Sequence, residues 1–129
     1  MDTYFDLGGY SFPVTTQSTE AQKWFDRGIL WTYGYNHEEA VICFERAIDV
    51  DPKCAMAYWG AGYASGPNYN MPWDLFDYAG RAAAARAGYA HARKALDMID
   101  GVTRWEAVLI HALPTRYPQP DRLDPEAMK

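Results

Sequence analysis

Small, aromatic and proline residues recur at fixed intervals in the first half of the chain, and this spacing constrains the fold more than any other feature. Counting from Ala21, Trp24 is the fourth residue, Gly28 the eighth, Phe44 the twenty-fourth and Pro52 the thirty-second. Sparse positions of this kind, with a period of about 34 residues, are typical of helical hairpins that stack on one another. The spacing therefore predicts an antiparallel helix pair, with small residues where the helices cross and large ones filling the space between them.

The same register continues into the following segment. Tyr58 lies 34 residues after Trp24, and Gly62 lies 34 residues after Gly28. A second hairpin is therefore predicted to pack against the first, since one hairpin cannot bury its apolar face alone. Within this second copy, residues 66–73 (GPNYNMPW) are predicted to replace a tight turn with a longer loop.

Capping residues predict the limits of the first two helices. Thr19 begins a capping-box pattern and Gly34 is a typical helix end, so the first helix is predicted to run from Thr19 to Tyr33. Asn36 has a side chain that caps helix N-termini, and it predicts a second helix that ends near Val50.

Three further helices are predicted after this point. Asp51–Pro52 has the composition of a cap followed by a first helical turn and predicts the start of the third helix. Ala-rich sequence within residues 73–98 predicts a long fourth helix, because Ala is the best helix former. Thr103 and Glu106 form a capping-box pattern at the start of a fifth helix, which Pro114 is predicted to kink or end.

The chain is accordingly divided into three parts. Residues 1–17 contain glycines and a proline among apolar residues, which predicts an extended N-terminal arm that packs on a neighbouring surface. Residues 18–117 form the helical domain, and residues 118–129 are expected to be the start of a truncated helix or a tail. A repeat stack needs about three units and a polar cap. We therefore expect either a longer parent protein or a homo-oligomer that covers the open face.

Three segments carry a resemblance to a known family. They read YGYNHEEA (residues 33–40), GPNYN (residues 66–70) and TRWEAVLIHALPTRY (residues 103–117). Together with the 34-residue register, they resemble the tetratricopeptide repeat (TPR) family, and in particular a broad group of TPR proteins with YGxNHEEA and GPNxN motifs. The resemblance covers residues 5–117 and implies an all-α, TPR-like helical hairpin solenoid of two repeats plus an extra helix.

The resemblance also implies a concave groove lined by the first helix of each pair. The residues placed there are Gln22, Phe25, Ile29, Thr32 and Tyr33 from the first repeat, and Met56, Trp59, Tyr63 and Gly66 from the second. Such an aromatic and apolar groove suits a protein or peptide partner, a second copy of the chain or a flat organic ligand. It lacks the Lys, Arg and Asn residues with which some family members grip a C-terminal carboxylate. Equally, the aromatic side chains could pack against the N-terminal arm or a further helix.

Polar residues cluster at the turn of each predicted hairpin. Asn36 and His37 follow Tyr35 in the first turn, and Asn68 and Asn70 belong to the second. If the turns are adjacent, these side chains could bind a polar ligand, with His37 acting as an acid–base group and Tyr35 orienting a substrate. The structural alternative is that they serve as caps and turn residues.

Charge and composition disfavour other classes of function. The net charge is −5 and the basic residues are scattered, so no nucleic-acid partner is expected. No apolar run approaches the roughly 18 residues of a membrane span, and the N-terminus lacks a secretory signal. A cytoplasmic protein without a membrane partner is therefore expected.

The residue pattern supports neither a metal site nor a cofactor. Cys43 and Cys54 have no closely spaced partner motif and are expected to be free thiols with apolar surroundings. The three histidines form no HExxH pattern, and no nucleophile elbow or phosphate-binding glycine loop is present. The leading interpretation is thus a binding module that uses Phe25, Ile29, Tyr33, Trp59 and Tyr63, and the alternative is a small-molecule or catalytic pocket at His37.

Overall fold

The computed structural model describes residues 4–66 and 78–117, and within these ranges the protein is all-α, as predicted. It contains five α-helices and no strand in this part of the chain. The α-helices are α1 (Thr19–Tyr33), α2 (His37–Val50), α3 (Ala55–Ser65), α4 (Tyr78–Leu96) and α5 (Arg104–Ala112). Short 3-10 turns span Ile99–Gly101 and Leu113–Arg116.

Helix α1 follows its predicted bounds, but its cap lies one residue earlier than predicted. Ser18, not Thr19, is the N-cap, and its hydroxyl accepts a hydrogen bond from the amide of Ala21 at 3.1 Å. The extended backbone at Ser18 places its oxygen over the free amides of the first turn, whereas Thr19 is already helical. At the other end, the Gly34 amide donates to the Leu30 carbonyl, which ends the helix where predicted.

Helix α2 confirms the prediction, whereas the predicted start of α3 is wrong. The Asn36 side chain accepts from the Glu39 amide at 3.2 Å and caps α2. Helix α3 begins at Ala55, because Asp51 instead closes a turn: its carboxylate accepts from the Lys53 amide and its carbonyl accepts from the Cys54 amide. Local hydrogen bonds of this kind from an Asp side chain give the backbone an alternative to starting a helix.

The last two helices agree with the predicted pattern over the described residues. Helix α4 ends at Leu96, two residues before the predicted Met98, and a 3-10 turn follows it. Its predicted start at residue 73 and the predicted loop 66–73 lie largely outside the described residues. Thr103 is the N-cap of α5 and forms the predicted capping box with Glu106. Pro114 stands in the 3-10 turn that follows the end of α5.

Consecutive helices pack against one another, and a single aromatic ring fills the main crossing. Helix α1 contacts α2, α2 contacts α3, and α3 contacts α4, while α1 also touches α3 and α5 touches both α3 and α4. The ring of Phe44 lies between Gly28 of α1 and Gly60 of α3. An ideal Cβ at Gly28 would stand 2.5 Å from that ring, and one at Gly60 would overlap it as well. The predicted small-and-large packing therefore holds at Gly28.

A second ring fills the space between α3 and α4. Tyr117 is almost fully buried, and its ring occupies the space that a Cβ at Gly66 or Gly88 would need. Its hydroxyl donates a hydrogen bond to the carbonyl of Gly62. Burial raises the pKa of Tyr117 to about 12, so the phenol stays protonated and keeps this bond. The end of the described chain is thereby tied to the middle of α3.

None of the helices in the described ranges combines the length and the apolar character needed to cross a bilayer.

Candidate functional site

An open apolar cleft lies where α1, α3 and α5 meet, above the Phe44 ring. Its volume is about 280 Å³. It is lined by Ile29, Thr32 and Tyr33 of α1, Phe44 of α2, Trp59 and Tyr63 of α3, and Leu109 of α5. We call this site the aromatic cleft.

Stacked aromatic rings form the α3 wall of the aromatic cleft. The rings of Trp59 and Tyr63 lie 5.3 Å apart at an angle of 24°. The Trp59 indole N–H donates to the Leu109 carbonyl at 3.1 Å, so the polar atom of this side chain is satisfied by α5. The guanidinium of Arg116 lies 4.7 Å from the centre of the Tyr63 ring. These contacts position the two rings and leave apolar surface toward the cleft.

Each wall of the aromatic cleft carries an exposed tyrosine, Tyr33 on α1 and Tyr63 on α3. Tyr33 is 69% exposed and Tyr63 is 39% exposed, although both are large aromatic side chains. Exposed aromatic rings around a concave apolar surface are a common sign of a binding site.

The structure brings together four of the five residues predicted to supply the contact area and separates the fifth. Of the other four residues placed in the groove, Thr32 also lines the cleft, whereas Gln22, Met56 and Gly66 do not. Ile29, Tyr33, Trp59 and Tyr63 all line the aromatic cleft. Phe25 is fully buried instead, and its ring centre lies 5.5 Å from that of Phe44. It belongs to the core because its side of α1 faces α2 and is covered by the N-terminal arm, so its predicted place on an accessible groove wall is corrected.

The described members of the predicted polar cluster line neither the aromatic cleft nor the second cavity described below. The Asn36 side chain is used as the cap of α2. Tyr35 is 61% exposed and holds a left-handed backbone with φ of 62°. His37, the first residue of α2, lines neither the aromatic cleft nor the second cavity described below. Asn68 and Asn70 lie outside the described residues.

The N-terminal arm lies along α1, and Phe25, one of the predicted groove aromatics, packs against it. Phe12 packs edge-on against Trp105 of α5, with ring centres 5.2 Å apart, and also lies beside Phe25. The backbones of Phe12 and Val14 are bound by two polar side chains of α1, Gln22 and Asp26. The arm therefore covers the N-terminal half of the α1 face whose C-terminal half forms the aromatic cleft.

A second cavity, of about 520 Å³, lies between the start of the arm and α1. Residues 4–11 form one wall, and the other wall is the face of α1 that carries Lys23 and Arg27. Asp6 and Asp26 also line it, so charges of both signs face this space.

Tyr4 is the polar centre of the arm's first contact with the helices. Its hydroxyl accepts from the Trp31 indole N–H at 2.6 Å and donates to a Glu39 carboxylate oxygen at 2.6 Å. The Cys43 sulfur lies 3.2 Å from the same hydroxyl. Burial, together with the hydrogen bonds to Cys43 and Glu39, raises the pKa of Tyr4, so this phenol is neutral. Arg27 lies over the Tyr4 ring at 4.4 Å and completes the contact.

Glu106 links the other end of the arm to α5. Its side chain is fully buried, and it accepts from the amide of Thr15 at 3.0 Å and from the Thr15 hydroxyl. The amide and hydroxyl of Thr103 donate to it at 3.0 and 2.7 Å. Burial alone would raise the pKa of Glu106, but these four hydrogen bonds outweigh it and lower the pKa below its ordinary value. The capping-box pattern predicted the hydrogen bonds between Glu106 and Thr103, whereas no sequence pattern predicted those between Glu106 and Thr15.

Both cysteines are free and buried. Burial raises the pKa of Cys43, and it raises the pKa of Cys54 to about 11. The thiolate is the reactive form, and a raised pKa keeps each thiol protonated, so neither cysteine is activated as a nucleophile. Within the two described ranges, no group of three or more His, Cys, Asp or Glu side chains could hold a metal ion.

Comparisons with protein-family models, with curated proteins and with solved structures returned no match for this chain.

Proposed function

We propose that the chain is a TPR-type binding module, in which α1–α2 and α3–α4 are two stacked hairpins and the aromatic cleft holds part of a protein or peptide partner. The 34-residue register supports this proposal. The packing of each helix on the next and the contact of α1 with α3 are also consistent with it. In such a stack α1 and α3 would share one concave face, with α5 beside them as the extra helix.

The observation that carries the proposal is the convergence of Ile29, Tyr33, Trp59 and Tyr63 on one apolar cleft that remains open to solvent. Covering the exposed part of two tyrosine rings would remove apolar area from water at about 25 cal/mol per Å². Side chains of this kind, in preformed pockets, dominate the energetics of protein interfaces.

The size of the aromatic cleft favours a partner's side chain over a whole organic molecule. Sites for drug-sized ligands have volumes of about 300–1,000 Å³ and bury most of the ligand. The aromatic cleft, at about 280 Å³, lies just below that range and is open on one side. One large apolar side chain of a peptide or of a neighbouring protein fits this space better.

The catalytic alternative at His37 gains no comparable support. Asn36 is used as a helix cap, and neither His37 nor Tyr35 lines the aromatic cleft or the second cavity. We therefore assign no acid–base chemistry to these residues.

A peptide-selection experiment tests the proposal. Peptides would be selected from a random display library against the immobilised full chain, and their affinities would be measured by calorimetry. Tyr33→Ala is expected to weaken binding about tenfold or more, because it removes an exposed aromatic wall of the cleft.

The control is Tyr35→Gly, which removes an equally exposed tyrosine two residues away. Glycine is favoured there because the backbone has positive φ. Circular dichroism would confirm that both variants remain helical. Selected peptides that bind equally well to the wild type and to Tyr33→Ala would refute a role for the aromatic cleft.

A further inference from the structure

We infer that the N-terminal half of the α1 face is a recognition site for an extended peptide, and that residues 11–16 of the arm are the intramolecular occupant of this site. The partner it fits is an extended segment with an aromatic residue, an aliphatic residue two positions later and a threonine directly after that. This inference does not rest on the proposed function of the aromatic cleft, because it concerns different residues and different bonds.

The first support is that helix side chains bind the main chain of the arm. The Gln22 amide nitrogen donates to the Phe12 carbonyl at 2.9 Å, and its oxygen accepts from the Val14 amide at 3.0 Å. Asp26 accepts from the Phe12 amide at 2.8 Å and from the Gln22 amide nitrogen at 2.9 Å. An extended chain without a neighbouring strand has unsatisfied backbone groups, and these side chains satisfy three of them. Such a clamp recognises extended backbone rather than one particular sequence.

The second support is that the arm lies on the surface in the manner of a bound peptide. Residues 11–16 form neither helix nor strand. Their exposure alternates: Ser11, Pro13 and Thr15 are exposed, whereas Phe12, Val14 and Thr16 are partly buried. This period of two is that of an extended segment with one face on the protein and one face in water, although the exposed Thr15 also donates its amide and hydroxyl to Glu106. The arm is thus held against the helices without being part of the core.

The contacts of Phe12, Val14 and Thr15 define which peptide sequence the site would prefer. Phe12 fits between Phe25 and Trp105, with ring centres 6.5 and 5.2 Å away. Val14 packs against the core beside it. Thr15 donates both its amide and its hydroxyl to the buried carboxylate of Glu106. Three positions of a bound segment are therefore recognised: the first by an aromatic pocket, the second by an aliphatic contact and the third by a buried hydrogen-bond acceptor.

The arm competes with any peptide in solution for this site, and it is favoured because it belongs to the same chain. A tethered segment has an effective concentration on the order of millimolar, so a peptide in solution cannot displace it at ordinary concentrations. Binding in trans should become visible when the arm's own contacts are weakened. The experiment accordingly uses the full chain with Phe12→Ala and a fluorescently labelled peptide of residues 8–17, GGYSFPVTTQ.

We expect the labelled peptide to bind Phe12→Ala at least tenfold more tightly than the wild type, as measured by fluorescence anisotropy. Pro13→Ala is the matched control, because Pro13 is exposed in the same segment and its loss should leave the arm in place. Adding Gln22→Ala to Phe12→Ala should weaken peptide binding about tenfold, since two hydrogen bonds to the peptide backbone are lost. Tyr33→Ala should leave this binding unchanged, which separates the result from any failure at the aromatic cleft.

Two results would overturn the inference. One is a helical Phe12→Ala chain that binds the peptide no better than the wild type, or whose binding does not depend on Gln22. The other comes from hydrogen exchange on the wild-type chain and holds even if Phe12→Ala fails to fold. If the amides of Phe12 and Val14 exchange only through global unfolding, the arm is a permanent part of the fold and not a replaceable occupant.

Discussion

Glu106 is the residue whose environment departs furthest from what its type leads one to expect. A carboxylate is rarely fully buried, and burial without partners would favour its neutral form. Here two threonines supply four donors, and the carboxylate stays ionised while it joins the arm to the first turn of α5. A charged group at a helix N-terminus is also favoured by the helix dipole.

We predict that Glu106→Gln lowers the free energy of unfolding by about 1–3 kcal/mol at pH 7, since hydrogen bonds to a charged acceptor are replaced and an amide NH₂ faces other donors. Urea denaturation would measure the change. Glu45→Gln, at an exposed position of α2, is the control and should be nearly neutral.

The effect of Glu106 should also depend on pH. Its pKa in the folded protein is lowered below the unfolded value of about 4.3, so the stabilisation is present above that pH. It is lost as the pH falls through the folded pKa. The difference in stability between the wild type and Glu106→Gln should therefore narrow between neutral and strongly acidic pH. A difference that stays constant over that range would contradict this account.

Among the helices, the position of α3 depends on the ring of Phe44, a residue of α2. Phe44 is enclosed by Gly28 on one side and Gly60 on the other, which lets α1, α2 and α3 meet around one aromatic side chain. Because glycine destabilises a helix interior by about 1 kcal/mol relative to alanine, its presence in both helices reflects this close approach.

Gly60→Ala is accordingly predicted to destabilise the protein, although alanine is the better helix former. The added methyl group would overlap the Phe44 ring, which the Gly28 backbone confines on the opposite side, and overpacking of this kind costs about 1–3 kcal/mol. Gly101→Ala is the control, since nothing lies within 4 Å of a Cβ there. Thermal unfolding followed by circular dichroism would compare the two variants. A Gly60→Ala protein as stable as the wild type would show that the Phe44 site is less confined than the structure indicates.

On the scale of the whole molecule, the arm closes over the helices at both ends. Tyr4 covers Cys43 near the first contact, and Thr15 binds Glu106 near the second. Cys54, by contrast, lies in a separate cluster with Ala21, Ala47 and Ala57.

This arrangement predicts unequal reactivity of the two thiols. In the native wild type both should react slowly with a thiol reagent, because both are buried and their raised pKa values keep them protonated. Tyr4→Ala should increase the labelling rate of Cys43 several-fold and leave that of Cys54 unchanged, as followed by mass spectrometry of the labelled peptides. Equal acceleration at both cysteines would mean that Tyr4 stabilises the whole fold and does not cover Cys43 locally.

Local signals in the sequence were sufficient for much of the helical pattern. Asn36, Gly34 and the Thr103–Glu106 pair each act on amides or carbonyls a few residues away, so the bounds of α1, α2 and α5 could be predicted closely. The same kind of signal failed at Asp51, because its side chain can cap a helix or close a turn, and only the surrounding chain selects between them.

By itself, the sequence determined that the described chain is all-α and where most of its helices begin and end. Only the tertiary structure decided that Phe25 is core, that Tyr117 fills the gap between α3 and α4, and that Thr15 reaches a carboxylate 91 positions away. Residue periodicity and capping patterns reflect interactions within one or two helical turns, so they predict helices but not contacts between distant segments. Burial and long-range hydrogen bonds depend on which surfaces meet, and neither the repeat register nor the caps indicate which surface the arm covers.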